Sequence, residues 1–196
     1  MALERTRSAA HWRDPLSAIR SPHFRQIMTP TIEQAFGRFD YAQVAPGAVQ
    51  AQMGIARYVR SSGLEQSLLH LVDLRASYLN GCAYCADMHT KDARLAGETE
   101  QRLYAVPVWR DAPFFTARER AALAWTDAVT EVGRTHVPDD VFARVREHFS
   151  DVEIVNLTMA VIAINGWNRL AIAFQKPVGS YEPRRPATSA APHTPA

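Results

Sequence analysis

Asn80-Gly81-Cys82-Ala83-Tyr84-Cys85-Ala86-Asp87-Met88-His89 closes one helical pattern and opens the next. Ahead of it, Leu68, Leu69, Val72, Ala76 and Leu79 recur at helical spacing over about 65–79, and Asn80-Gly81 stops that run. Behind it, a helix carries Cys82, Cys85, Met88 and His89 to about Leu95, where Gly97 caps the end. At about 100° per residue, Cys85 and His89 lie roughly 60° and 20° from Cys82, so the three groups share one face.

The rest of the chain follows the same period. A helix near 46–61 has Pro46 in its first turn and Gly63 past its end, the usual asymmetry of helix ends. Thr99 starts a short helix through Leu103. Thr116 with Glu119, and Ser150 with Glu153, are capping-box pairs in which hydroxyl and carboxylate satisfy orphan amides. The first opens a helix carrying Ala122, Trp125 and Val129 to about Gly133. Pro138, Asp139 and Asp140 suit the first turn of another, through Val141, Val145 and Phe149. The final helix, about 151–175, is apolar over most of its surface (Ile154, Leu157, Val161, Ile164, Leu170, Ile172, Phe174), which predicts a central or subunit-interface position. Sustained alternation is nearly absent, so the expected fold is all-α.

An offset of 85 residues lays Asn165-Gly166 on Asn80-Gly81, with an apolar helical run before each. Ala76 then matches Val161, and Leu79 matches Ile164. Cys82, Cys85 and His89 fall on Trp167, Leu170 and Phe174, so only the first copy of this weak internal helical repeat keeps chemical groups.

Composition narrows the function. The chain has 196 residues and a formal charge of +2, from 22 basic and 20 acidic side chains, which is the size of one domain. Its 47% hydrophobic content supports a core and excludes global disorder. Twenty arginines and two lysines are scattered without a run of five, so no nucleic-acid partner is expected. No apolar run reaches the roughly 18–20 residues of a membrane span, and no signal-peptide core follows the charged start. The expectation is a cytoplasmic protein with no membrane partner. Residues 1–30 carry Arg5, Arg7, Arg13, Arg20 and Arg25 against Glu4 and Asp14. Pro15 and Pro22 break any long transit-like helix there, and the segment reads as a solvated, arm-like extension. The domain is expected over 31–182, and the Pro- and Ser-containing residues 183–196 read as a disordered tail.

Two cysteines cannot form a secreted disulfide framework, but their spacing suits redox chemistry. A thiol at a helix start has its pKa lowered by unpaired amides, and a histidine one turn beyond Cys85 can accept a proton. Attack of one thiolate on a peroxide, then of the second thiol on the sulfenic acid, closes a protective disulfide. Two other readings fit the residues. One is a structural Cys pair with an incidental His. The other is a zinc or other metal site built from His70, Cys82, Cys85 and His89.

Leu71-Val72-Asp73-Leu74-Arg75-Ala76-Ser77, Asn80-Gly81-Cys82-Ala83-Tyr84-Cys85, Met88-His89 and Ala96-Gly97-Glu98-Thr99 together resemble the carboxymuconolactone decarboxylase superfamily, in its alkyl hydroperoxidase D-like branch. The likeness runs from about Phe39 to Tyr181. It takes in Glu119-Arg120-Ala121-Ala122-Leu123-Ala124-Trp125 and Asn165-Gly166-Trp167-Asn168-Arg169-Leu170-Ala171. The resemblance implies an all-helical fold, a homotrimer or homohexamer, and reduction of organic hydroperoxides through the C-x-x-C pair by a dithiol or thioredoxin-like reductant. It makes Cys85 the peroxide-attacking thiolate, Cys82 the resolving thiol exposed to the reductant, and His89 part of the proton relay.

Two positions depart from that pattern. The glutamate expected twelve residues before the first cysteine is His70, and the residue between the cysteines that can be histidine is Tyr84. A neutral imidazole can take a proton, so His70 is the expected substitute base, with Tyr84 in support. Glu65 is a second candidate for the missing carboxylate, against a role in starting its helix. Arg75 and Arg169 are expected to be solvated or paired, and Trp125, Trp167 and Phe174 to be core or interface residues. No haem, flavin or nicotinamide motif is visible, so no cofactor is expected. A lyase acting on a carboxylated lactone, with dispensable cysteines, is the remaining alternative.

Overall fold

Helix α1 spans Tyr41–Val44, α2 Pro46–Arg60, α3 Gln66–Leu79 and α4 Ala83–Leu95 in a computed structural model that describes residues 38–183. Helix α5 covers Glu100–Ala105 and leads into a short 3₁₀ turn at Val106–Val108. Helices α6 (Ala117–Thr130), α7 (Val132–Thr135), α8 (Asp139–Arg146) and α9 (Asp151–Ala173) complete an all-helical fold over the described residues. The expected extension at 1–30, and the expected tail beyond residue 183, lie outside them.

Two helices organise the rest. α9 packs against α2, α3, α4, α6 and α8, which gives it the central position its apolar surface predicted. α3 is covered on both sides. Leu68, Leu69 and Val72 join α9's Leu157, Ala160 and Val161 in one core cluster, while Leu71 and Leu74 join Leu103, Val106 and Leu123 in another. Each fully buried leucine in this sandwich contributes about 1.5–3 kcal/mol by removal from water.

Both capping boxes are formed, with Thr116 and Ser150 accepting from Glu119 and Glu153 amides while the glutamates reach back. Three helix ends differ from expectation. α6 stops at Thr130 rather than Gly133, because Thr135 Oγ1 turns back to donate to the carbonyl of Ala128 at 2.7 Å and the chain re-forms as α7. α8 ends at Arg146, though Phe149 beyond it is still buried in the core. α9 ends at Ala173, and Gln175, with φ of 52°, cannot continue a helix.

Arg75 is buried and paired. Its guanidinium donates to Asp127 at 2.5 and 3.1 Å and to the carbonyl of Pro107 at 2.8 Å. Trp109 Nε1 and Arg110 also reach Asp127, at 3.3 and 2.7 Å. Arg169 is satisfied by its own helix at Asn165. Trp125 is buried and donates to Thr158 Oγ1, and Phe174 stacks on Phe39 and Tyr41. Removing one member of a buried pair leaves an uncompensated charge. Asp127→Ala should therefore lower the unfolding free energy by about 3–5 kcal/mol in urea titration. Arg110→Ala, which removes an exposed partner, should cost under about 1 kcal/mol.

Candidate active site

The turn between α3 and α4 places both cysteines. Gly81 has φ of 67°, a left-handed conformation that glycine adopts without Cβ strain. Its amide bonds the carbonyl of Tyr78 at 3.2 Å, and the Cys82 amide bonds that of Ser77 at 2.9 Å, the double closure of a Schellman motif. Cys82 is also the N-cap of α4, and its Sγ accepts from the Cys85 amide at 3.3 Å. One residue thus ends α3 and begins α4.

A polar network anchors this turn to α9. Asn80 Nδ2 donates to Asn165 Oδ1 at 3.0 Å and to Asn168 Oδ1 at 2.9 Å. The asparagines matched by the 85-residue offset are therefore hydrogen-bonded to each other. Asn168, fully buried, donates to Ser77 Oγ at 3.2 Å. Gly166 beside it admits Gln52 of α2, whose amide donates to Ala163 O at 2.7 Å; a Cβ at Gly166 would meet that amide nitrogen at 2.6 Å.

Cys82 and Cys85 are joined as a disulfide. Cys85 lines a cavity of about 290 Å³, with apolar walls from Met53, Leu69, Met88, Ile164 and Trp167. Tyr84 and His89 line it too. Cys82 does not. It is only 2% exposed and packs against Ala171 and Tyr84, so the expectation of a resolving sulfur open to the reductant is not met in this conformation. Apolar packing at the helix start, not solvent, surrounds it.

The carboxylate at the site is Asp73. Its Oδ2 lies 3.6 Å from His89 Nδ1, and Asp73 lines the cavity with its side chain 18% exposed. His70, one turn earlier on α3, is half-buried and is not among the cavity-lining residues; burial lowers its pKa. Asp73 and His89 both line the cavity, and the charges of both act on His70. Glu65 is not at the site either. It precedes α3 at the N-cap and pairs with Arg118 at 2.9 and 3.1 Å on the surface. Asp73 was within the quoted Leu71–Ser77 stretch, and its i+3 relation to His70 on a buried helix was the signal available.

His89 is 5% exposed, and neither ring nitrogen has a hydrogen-bond partner within the described chain. Burial lowers its pKa to about 4, so the imidazole is neutral at pH 7. Burial also raises the Asp73 carboxyl to about 7. The pair can thus hold one proton between a carboxyl and a neutral imidazole beside Cys85, the condition for proton transfer near neutral pH. The set His70, Cys82, Cys85 and His89 does not assemble as metal ligands, since among the described residues no three His, Cys, Asp or Glu side chains are grouped to hold an ion.

The carboxymuconolactone decarboxylase family model matches residues 42–128. An uncharacterized protein of Bacillus subtilis, YdfG, is 39% identical over 136 residues, 69% of this chain and 92% of its own length. The chain belongs to the carboxymuconolactone decarboxylase family. Within the family it falls in the AhpD-like branch. The crystal structure of a protein of unknown function from Agrobacterium tumefaciens, a candidate AhpD antioxidant defence protein, is 49% identical with a TM-score of 0.70. That match covers 76% of this chain and 99% of the other. The debrominase Bmp8 shares the fold at a TM-score of 0.65 and 17% identity, over 86% of this chain and 90% of its own.

Opposed titrations give the Asp73–His89 pair a signature in stability. Folded Asp73 keeps its proton to about pH 7 against 3.8 for the ordinary carboxyl, so its contribution is lost as pH rises through that range. Folded His89 takes a proton only near pH 4 against an ordinary 6.5, so its contribution is lost as pH falls through that range. Relative to wild type, Asp73→Asn should gain stability as pH rises from 4.5 to 6.5, and His89→Gln should lose it. Urea midpoints at the two pH values read both; the same pH dependence in both variants would overturn the assignment.

Proposed function

We propose that the protein reduces organic hydroperoxides with Cys85 as the attacking thiolate, Cys82 as the resolving thiol and a thioredoxin-like dithiol as the reductant. The observation that carries this reading is the placement of Cys85, and not Cys82, on an apolar cavity beside the Asp73–His89 pair. The AhpD-like relatives support it.

In the first step the Cys85 thiolate attacks the terminal oxygen of ROOH, the O–O bond breaks, and RO⁻ leaves. The Asp73–His89 pair gives RO⁻ its proton, and Cys85 is left as a sulfenic acid. The Cys82 thiol then attacks the Cys85 sulfur, the S–O bond breaks, and water leaves with the thiol proton as the disulfide forms. A dithiol returns two electrons and two protons to the pair and is itself oxidised to a disulfide. The helix-start position of Cys82, with the Cys85 amide on its sulfur, favours its thiolate once the bond is opened. The reductant's attack on Cys82 requires its cover of Tyr84 and Ala171 to open, because both sulfurs are buried here.

The same reading carries assembly as a homotrimer or homohexamer. Val152, Val155 and Ile162 are exposed along α9 and supply apolar surface for it. No helix among the described residues is long and apolar enough to cross a membrane.

Intact mass of the reduced protein before and after one equivalent of cumene hydroperoxide tests the cycle. A loss of about 2 Da without added oxygen is expected. Cys85→Ser should abolish turnover, whereas Cys82→Ser should consume one equivalent and stall as the sulfenic acid, heavier by about 16 Da. An unchanged mass with both thiols titratable would overturn the peroxidase reading; equal activity in the two variants would overturn the division of roles.

A further inference from the structure

Four charge-bearing side chains reach the cavity wall: Asp73 and His89 beside Cys85, and Arg60 and Lys176. Several arginines elsewhere in the domain are matched to carboxylates. Arg102 is shared by Glu98 and Glu119, Arg118 by Glu65 and Glu153, and Arg75 is held by Asp127. Among the described residues, neither Arg60 nor Lys176 forms an ion pair with a carboxylate.

Lys176 is half-buried, and its ammonium is held by rings instead of by a counter-ion. Nζ lies 4.4 Å from the centroid of Tyr84 and 5.7 Å from that of Tyr41. Such contacts orient a cation without neutralising it. Tyr84 lies between the two cysteines, so this charge is fixed next to the redox pair. Arg60, at the last residue of α2, is exposed and stands at the rim. Arg60 acts on Asp73 and opposes the effect of burial, which raises that carboxyl to about 7, so Asp73 carries only part of a charge near neutral pH. The half-buried Lys176 has no such neighbour, and an anion in the cavity offsets its desolvation where a neutral molecule does not.

We infer that the substrate is a compact organic hydroperoxide bearing a carboxylate, which Lys176, with Arg60 at the rim, pairs while the peroxide end faces Cys85. The inference rests on the peroxidase reading for the reacting group, and on the cavity alone for the carboxylate. The volume of about 290 Å³ lies at the small end of ligand pockets, which favours an aryl or short-chain compound. The charged group takes no part in the electron transfer. It sets orientation and selectivity.

Calorimetric titration of the full chain with 4-isopropylbenzoate and with 4-isopropylbenzamide measures the carboxylate preference without turnover. The benzoate should bind at least about tenfold more tightly at low salt. Lys176→Met combined with Arg60→Gln should bring the two Kd values together, and Lys176→Arg should retain the preference. Equal Kd values in the wild type, or a preference that survives the double substitution, would overturn the inference. Turnover of cumene hydroperoxide and of its para-carboxylate then separates the two readings. A preference for the benzoate with neither hydroperoxide reduced would remove the peroxidase chemistry and leave the anion site. Reduction of both at equal kcat/KM would leave the chemistry and remove the carboxylate selectivity.

Discussion

The fold turns on the junction at Ser77–Cys85, where the C-terminal closure of α3 and the N-terminal cap of α4 share Cys82. A helix end leaves unsatisfied carbonyls and a helix start leaves unsatisfied amides, and this chain meets both needs between Ser77 and Cys85. The Cys82 amide closes α3 while its sulfur caps α4. The positions of the two sulfurs are thereby set by backbone hydrogen bonding and not by side-chain packing alone. Asn80 ties the junction to α9 through Asn165 and Asn168, so the redox pair moves only if α3, α4 and the central helix move together. Such a junction holds the two sulfurs within bonding reach while the cavity beside them changes its contents.

Among the described residues, buried side-chain polar atoms other than those of His89 have partners, which gives that exception meaning. Asp127 gathers Arg75, Arg110 and Trp109, and the asparagine network accounts for Asn165 and Asn168. His89 stands apart, buried without a partner for either nitrogen, with a carboxyl just beyond hydrogen-bond distance. A buried group left this way costs stability unless something binds to it. The same environment keeps the imidazole neutral at pH 7 and raises the carboxyl to about 7, where it can both give and take a proton. The unpaired Arg60 and Lys176 on the same cavity extend this pattern.

Much of the site was legible because it is local. Cys82, Tyr84, Cys85 and His89 occupy two turns of one helix, and a 3.6-residue period decides which of them share a face. The capping boxes at Thr116 and Ser150 were legible for the same reason, as were Gly81 and the limits of α2 and α3. His70 and Asp73 lie one turn apart on a helix buried on both sides, so periodicity places them on nearly the same face and cannot choose between them. α9 and the position of His89 make that choice, and they put Asp73 on the cavity. Glu65 was drawn away by Arg118, 53 residues distant, an attraction that no local pattern records.

The amino-acid sequence by itself determined the helices, where most of them begin, the adjacency of the two cysteines and the AhpD-like family, because each follows from contacts within a few residues or from a motif of fixed spacing. The tertiary structure alone decided that Cys85 faces the cavity while Cys82 is packed behind it. It also paired Asp73 with His89 and brought Lys176, from beyond the end of α9, onto the same wall. Burial and charge proximity between distant segments are properties of the packed chain, and they set the proton affinities and the unpaired charges on which the chemistry depends.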